Sequence, residues 1–225
     1  MIPQFPIALR INVEIDRISS VPWTIIHEKS GLFSNHFYEY MRGIGWNAFK
    51  RVCEIEEKAV NYIDSMTTTI EEFEELAEKL FNEPKWNELK YLAGLDLGIA
   101  NVVFALYAFG CFPITSCRGH PPPRGERHPL VVFFPRPELT SIIVGVAAGA
   151  GVGMLNVETD NKEGLIVFGR SIVDMEKFAN GLHNVFPAAS MMKPKKKTLK
   201  TNYALPENPK SLTTQANLDL WLSMI

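Results

Sequence analysis

The sequence predicts an α+β fold: a four-stranded, largely antiparallel sheet built from two α-β-β units, with helices on one face. An N-terminal strand and a helical region precede it. Three observations carry this expectation. Residues 95–182 run in the order α-β-β-α-β-β-α. The connection at 160–164 is short enough to imply an antiparallel hairpin. The chain has 225 residues, 46% of them hydrophobic, enough to bury a sizeable core. The expected division is an N-terminal region over 1–93, a core domain over 94–186 and a flexible tail over 187–225 that ends in a short apolar helix.

Residues 7–16 alternate, with Leu9, Ile11, Val13 and Ile15 on one side and Arg10, Asn12, Glu14 and Asp16 on the other. That is the period of a half-buried strand. Residues 17–45 are irregular and aromatic. From Trp46 to Met66 the apolar positions Phe49, Val52, Ile55, Ala59, Val60 and Ile63 follow helical spacing. Thr69 and Glu72 form a capping box, in which hydroxyl and carboxylate satisfy amides at a helix start. The helix it opens carries Phe73, Leu76, Leu80 and Phe81, and Pro84 stops it, with a shorter helix beginning near Lys85.

The apolar run over 97–112 includes Asn101 and falls short of the roughly 20 residues that a membrane span needs. It is expected to be a buried core helix, at about 96–109. An extended stretch, a Pro-rich loop and the strand Leu130-Val131-Val132-Phe133-Phe134 follow. A helix over 138–149 begins behind Pro137, which suits a first helical position. Strands near 154–159 and 165–168 and a helix over 172–182 complete the unit. Gly149-Ala150-Gly151-Val152-Gly153 follows a helix and precedes a strand, the reverse of a dinucleotide loop, so it reads as a helix stop. Asp174 and Glu176 suit the start of the last helix and His183 its end.

A formal net charge of −2 argues against a generic nucleic-acid binder. The Glu-rich stretch 54–83 reads as a solvated helical face, and the Lys cluster 193–200 as part of a flexible segment. Three cysteines make no disulfide framework and point to a reducing compartment. The N-terminus lacks a basic region followed by an apolar stretch, so no secretory signal is expected. A cytoplasmic protein without a membrane anchor is the resulting expectation. The apolar residues within 214–225 offer a surface for a protein partner.

Chemistry concentrates at Thr115-Ser116-Cys117-Arg118-Gly119-His120, where a strand end leads into a loop. Cys117 and His120 are the candidate catalytic pair, since a cationic neighbour lowers a thiol's pKa. Thr115, Ser116, Arg118, Gly119, Arg124 and His128 are the candidate ligand-binding residues. Gly119 permits a positive φ or close approach to a ligand, and the arginines suit an anionic group. This reading assigns no metal and no particular cofactor. A second reading has Cys111, Cys117, His120 and His128 bind Zn²⁺, with spacing C-x5-C-x2-H-x7-H, which matches no common zinc finger. In a third, Cys117 is a small buried hydrophobe and the loop only a connection. Cys53 is expected in the core. No P-loop, H-E-x-x-H, C-x-x-C pair or G-x-S-x-G occurs.

The string Pro113-Ile114-Thr115-Ser116-Cys117-Arg118-Gly119-His120, after an apolar helix and before a strand, resembles a family of bacterial and phage proteins carrying Ser-Cys-x-Gly-His. More distantly it is similar to the Ser-Ser-Cys-Ser-Gly-Arg motif of the tRNA wybutosine-synthesis methyltransferase-like proteins. Ser116, Cys117 and Gly119 match that motif; Thr115 replaces a Ser and His120 the Arg. The likeness covers residues 95–182 at most and implies a link to S-adenosylmethionine and tRNA. The functional expectation is therefore a small-molecule or nucleotide site at Ser116–His120, as in a modifying enzyme. The alternatives are a non-catalytic, phage- or defence-associated interaction module and a zinc-stabilised structural domain.

Overall fold

Two hairpins make the centre of the molecule. The computed structural model describes residues 1–21, 38, 41, 43–120, 128–159 and 162–190. In the first unit, helix α3 (Ala100–Phe109) leads into strands β2 (Phe112–Cys117) and β3 (Leu130–Phe134). In the second, α4 (Thr140–Ala150) leads into β4 (Gly153–Thr159) and β5 (Lys162–Phe168). Strands β3 and β5 pair antiparallel, with Val131 opposite Val167 and Val132 opposite Ile166, and so join the hairpins. Because the second strand of each hairpin lies innermost, an approximate two-fold relates the two units topologically.

The sheet differs from the expected one by a strand. Its order is β1-β4-β5-β3-β2, and β1 (Ile11–Asn12) runs parallel to β4, so the sheet is five-stranded and mixed. Of the alternating stretch 7–16, only these two residues form ladder. Ile11 stays 38% exposed. Past Asn12 the Asn156 side chain takes over, its Oδ1 accepting from the Glu14 amide at 2.6 Å. A 3-10 turn over Ile15–Arg17 then ends the extended run. The alternation describes an edge, where one strand face and half the backbone groups need no partner.

All five residues of β3 are buried, and so are Leu165 to Phe168 of β5. These continuous apolar runs are what a strand covered on both faces requires. Edge strand β2 tolerates Pro113, which cannot donate to a ladder. A register shift between Pro113 and Thr115 re-aims the residues that follow.

The helical layer grows outward from α3. Nine of its ten residues are buried, as expected for a core helix. It packs on α5 (Ile172–Ser190), which also meets α4. Helix α1 (Trp46–Met66) lies on α3, and α2 (Ile70–Leu80) follows α1. The capping box of α2 forms: the Glu72 amide donates to Thr69 Oγ1 at 3.1 Å, and the Thr69 amide to Glu72 Oε2 at 3.3 Å. Pro84 opens a 3-10 segment over Pro84–Leu92. Pro137 opens a 3-10 turn that runs directly into α4, and Gly151 ends α4 with φ +71°, a left-handed helix stop.

Helix α5 continues through Pro187 to Ser190, where a tail had been expected. Its last turns have something to pack on. Phe186 meets Trp46 at 5.0 Å between ring centroids, and His183 stacks on Phe49 at 5.5 Å. His183 is therefore a packing residue in mid-helix and not a terminal cap. Among the described residues, no helix is long and apolar enough to cross a membrane. The expectations placed on 191–225, including the Lys cluster and the apolar terminus, lie outside the described residues.

Candidate functional site

Where β2 ends, its motif runs on against helix α2 and the turn before α3. Cys117, only 2% exposed, ends the strand. Arg118 follows and is buried as well, which a guanidinium tolerates only with a partner of opposite charge. That partner is Glu74 of α2, itself 3% exposed. Arg118 Nη2 donates to Glu74 Oε2 at 2.7 Å and Nε to Oε1 at 3.3 Å, a two-point fork on one carboxylate.

Glu74 Oε2 also lies 2.7 Å from His120 Nδ1. Burial works to raise the Glu74 carboxyl. The His120 hydrogen bond and the Arg118 guanidinium outweigh it and hold the carboxyl below the usual range. Burial likewise opposes charge on Arg118, but the nearby Asp96 and Glu74 carboxylates keep it firmly protonated. An ionised Glu74 can only accept, so His120 donates from Nδ1, which selects the tautomer whose lone pair is on Nε2 whenever the ring is neutral.

The third arm comes from the turn before α3. The Arg118 amide donates to Asp96 Oδ2 at 3.2 Å. The Gly119 amide donates to Cys117 Sγ at 3.4 Å. Asp96, Cys117 and His120 thus converge: one ligand atom from each lies within 4.8 Å of the other two. Gly119 makes this possible with φ +83°. A β-carbon there would sit 2.8 Å from the His128 carbonyl carbon, so the two ends of the β2–β3 loop meet at a neck only glycine fits.

The remaining motif residues take other places. Ser116 Oγ is 2.6 Å from Tyr38 Oη. Thr115 and Ser116 are half-buried on β2. His128 packs its ring against Phe168 at 5.7 Å, and burial lowers its pKa. The Arg118 guanidinium is committed to Glu74 rather than turned toward solvent. Arg124 lies outside the described residues.

The zinc set read from spacing does not assemble. Cys111 precedes β2 and Cys117 ends it, so roughly 20 Å of strand separates them. Cys111 instead borders a cleft of about 370 Å³ with Gly110, Phe134 and Arg136, and burial pushes its thiol up to about 12.

Sequence reasoning missed Glu74 and Asp96, and it took the acidic helices for solvated faces. A second buried carboxylate corrects that view too. Glu56 on α1 is 2% exposed and occupies the apolar stripe itself, between Val52 and Ala59. Its Oε1 accepts from the Gly98 and Ala100 amides at 2.7 and 3.1 Å, and Oε2 from the Asn101 amide at 2.9 Å. It caps α3 from outside that helix. Burial raises its carboxyl to about 8 against the pull of those three amides. Glu56 borders a cleft of about 200 Å³ with Glu57, Glu176 and Cys53; Cys53, expected in the core, is half-buried and packs against it. The signal for both residues was a Glu on or beside a helix's apolar arc, since Glu74 flanks the stripe of Phe73, Ala77 and Leu80.

Compared with known proteins, the chain matches no family model, no curated protein and no solved structure.

Proposed function

We propose that this protein handles a small-molecule or nucleotide ligand at the C-terminal end of β2, with Cys117 and His120 as its chemical groups. The observation that supports the reading is the buried Glu74–Arg118–His120 network. An ion pair in a protein interior contributes little net stability, and apolar residues of similar volume often do better by about 1–4 kcal/mol. A fold that spends a Glu, an Arg and a His here, beside a thiol and a second carboxylate, gains orientation instead. The network holds one imidazole in one tautomer at a strand end, with 15% of the His120 side chain still open to solvent. Such an arrangement serves proton transfer or ligand positioning, the work of a modifying enzyme.

Binding measurements test this. Full-length protein is to be titrated with the four ribonucleoside monophosphates, the four triphosphates and S-adenosylmethionine, by calorimetry and thermal shift. At least one probe is expected to bind, with affinity falling ten-fold or more in Cys117→Ser and His120→Gln variants whose circular dichroism matches the parent. Binding that is unchanged in both variants, or no binding of any probe, overturns the reading.

A further inference from the structure

The convergence of Asp96, Cys117 and His120 has a chemistry of its own. We infer that these three side chains form a site for a single zinc ion, open at its fourth position. The inference rests on the functional reading above for the site's importance but not for its geometry. A thiolate, an imidazole and a carboxylate are the three donor types that zinc takes from proteins. Zinc bonds of roughly 2.0–2.3 Å in tetrahedral array place ligand atoms roughly 3.3–3.7 Å apart. The three atoms lie within 4.8 Å of one another, so drawing them onto an ion takes movements of about 1 Å, within reach of side-chain rotation.

Three further features fit an ion and not a bare cluster. Metal-bound histidines almost always donate their other ring N–H to a carboxylate or carbonyl, which sets the tautomer. The 2.7 Å contact from His120 Nδ1 to Glu74 Oε2 is that arrangement, and it leaves Nε2 to bind. Arg118 in turn pins Glu74 at two points and, through its amide, orients Asp96. Charge balances as well. Glu74 and Arg118 pair with each other, and a bound zinc takes its cysteine ligand as a thiolate, so that the ion's two charges would meet that thiolate and the Asp96 carboxylate. The donors also hold complementary positions along the chain: Cys117 and His120 stand three residues apart around the left-handed Gly119, and Asp96 comes from the turn before α3.

Three protein ligands are the number found at zinc sites that work on substrates, where water or a substrate atom takes the remaining position; sites that only brace a fold use four. The two half-buried ligands, Asp96 and His120, mark the side from which that position is reached. The ligand class this selects is one with an oxygen or nitrogen donor, such as a carbonyl, a phosphoryl oxygen or a ring nitrogen.

The test uses the whole chain, stripped with a chelator and then titrated with Zn²⁺ against a chromophoric competitor and, separately, with Co²⁺. The expected result is one equivalent of either ion, with Co²⁺ giving a sulfur-to-metal charge-transfer band and the visible bands of a tetrahedral site. Cys117→Ser is expected to abolish the charge-transfer band. Asp96→Asn and His120→Gln are each expected to weaken Zn²⁺ binding by roughly 100-fold or more, since losing even an outer partner of a ligand costs 10–100-fold. The parent spectrum decides the matter if a variant does not fold. Less than one equivalent bound, or a Co²⁺ spectrum without a thiolate band, overturns the inference. Protein that takes up one zinc but none of the nucleotide probes sinks the ligand-handling proposal and leaves the metal site standing. Protein that binds a nucleotide in a Cys117-dependent way yet never takes up zinc does the reverse.

Discussion

Glu56 and Glu74 are the same residue type, on neighbouring helices, and almost equally closed to solvent, yet their surroundings drive them in opposite directions. Glu74 faces a guanidinium and an imidazole and is held below the normal carboxylate range. Glu56 accepts from neutral backbone amides, and burial, with a smaller push from the Glu176 carboxylate, raises it to about 8. Glu56 lies in the deeper surroundings, and only Glu74 has a cationic partner to offset its burial. The Glu56 centre shapes the start of α3 and so serves architecture. The Glu74 centre keeps a permanent ion pair beside the site's thiol and imidazole.

Breaking the ion pair is expected to have the largest effect. Arg118→Leu leaves Glu74 buried with His120 as its remaining polar partner among the described residues. The expected loss is about 3–5 kcal/mol of unfolding free energy, read by urea denaturation. Glu56→Gln keeps the volume but sets an amide group where one oxygen accepted, so at least one buried backbone N–H loses its partner. The expected loss is about 1–3 kcal/mol by the same measurement at low pH.

The difference between parent and Glu56→Gln also sharpens the comparison, because it depends on pH. The folded-state carboxyl lies above its unfolded value of 4.5, at about 8. Its contribution is thus fully present below about pH 4.5 and is lost as pH rises through about 8. Across that window the parent's advantage over the variant should shrink, by at most about 1.4 kcal/mol per pH unit. A flat difference between pH 5 and 8 would mean that Glu56 is ionised throughout, like Glu74.

The smallest effect concerns the helix that carries Glu74. Thr69→Ala removes one half of the α2 capping box and should cost about 1 kcal/mol. The ion pair at the far side of the helix should persist, and hydrogen exchange should rise in the first turn of α2 alone.

Much of the frame was legible because local patterns and the final environment agreed. Helix α1 follows its stripe from Trp46 to Met66, α2 begins where the capping box places it, and the two α-β-β units appear in the expected order. The fifth strand was not legible as such. Alternation over 7–16 states that one face is covered, but not which strand lies alongside or for how many residues. The motif Cys117–His120 stood out by residue type. Its partners Glu74 and Asp96 did not, because each lies more than 20 positions away and nothing in its own neighbourhood ties it to the motif.

What the sequence determined alone is the set of elements, since helical caps, apolar periods and turn residues act over a few positions. Only the tertiary structure decided what those elements bring together: β1 beside β4, Glu56 under the start of α3, and Glu74 and Asp96 around the end of β2. A carboxylate on a helix is the same in the chain whether it will meet water, a guanidinium or an amide. Its charge and its role follow from the dielectric and the partners that folding places around it.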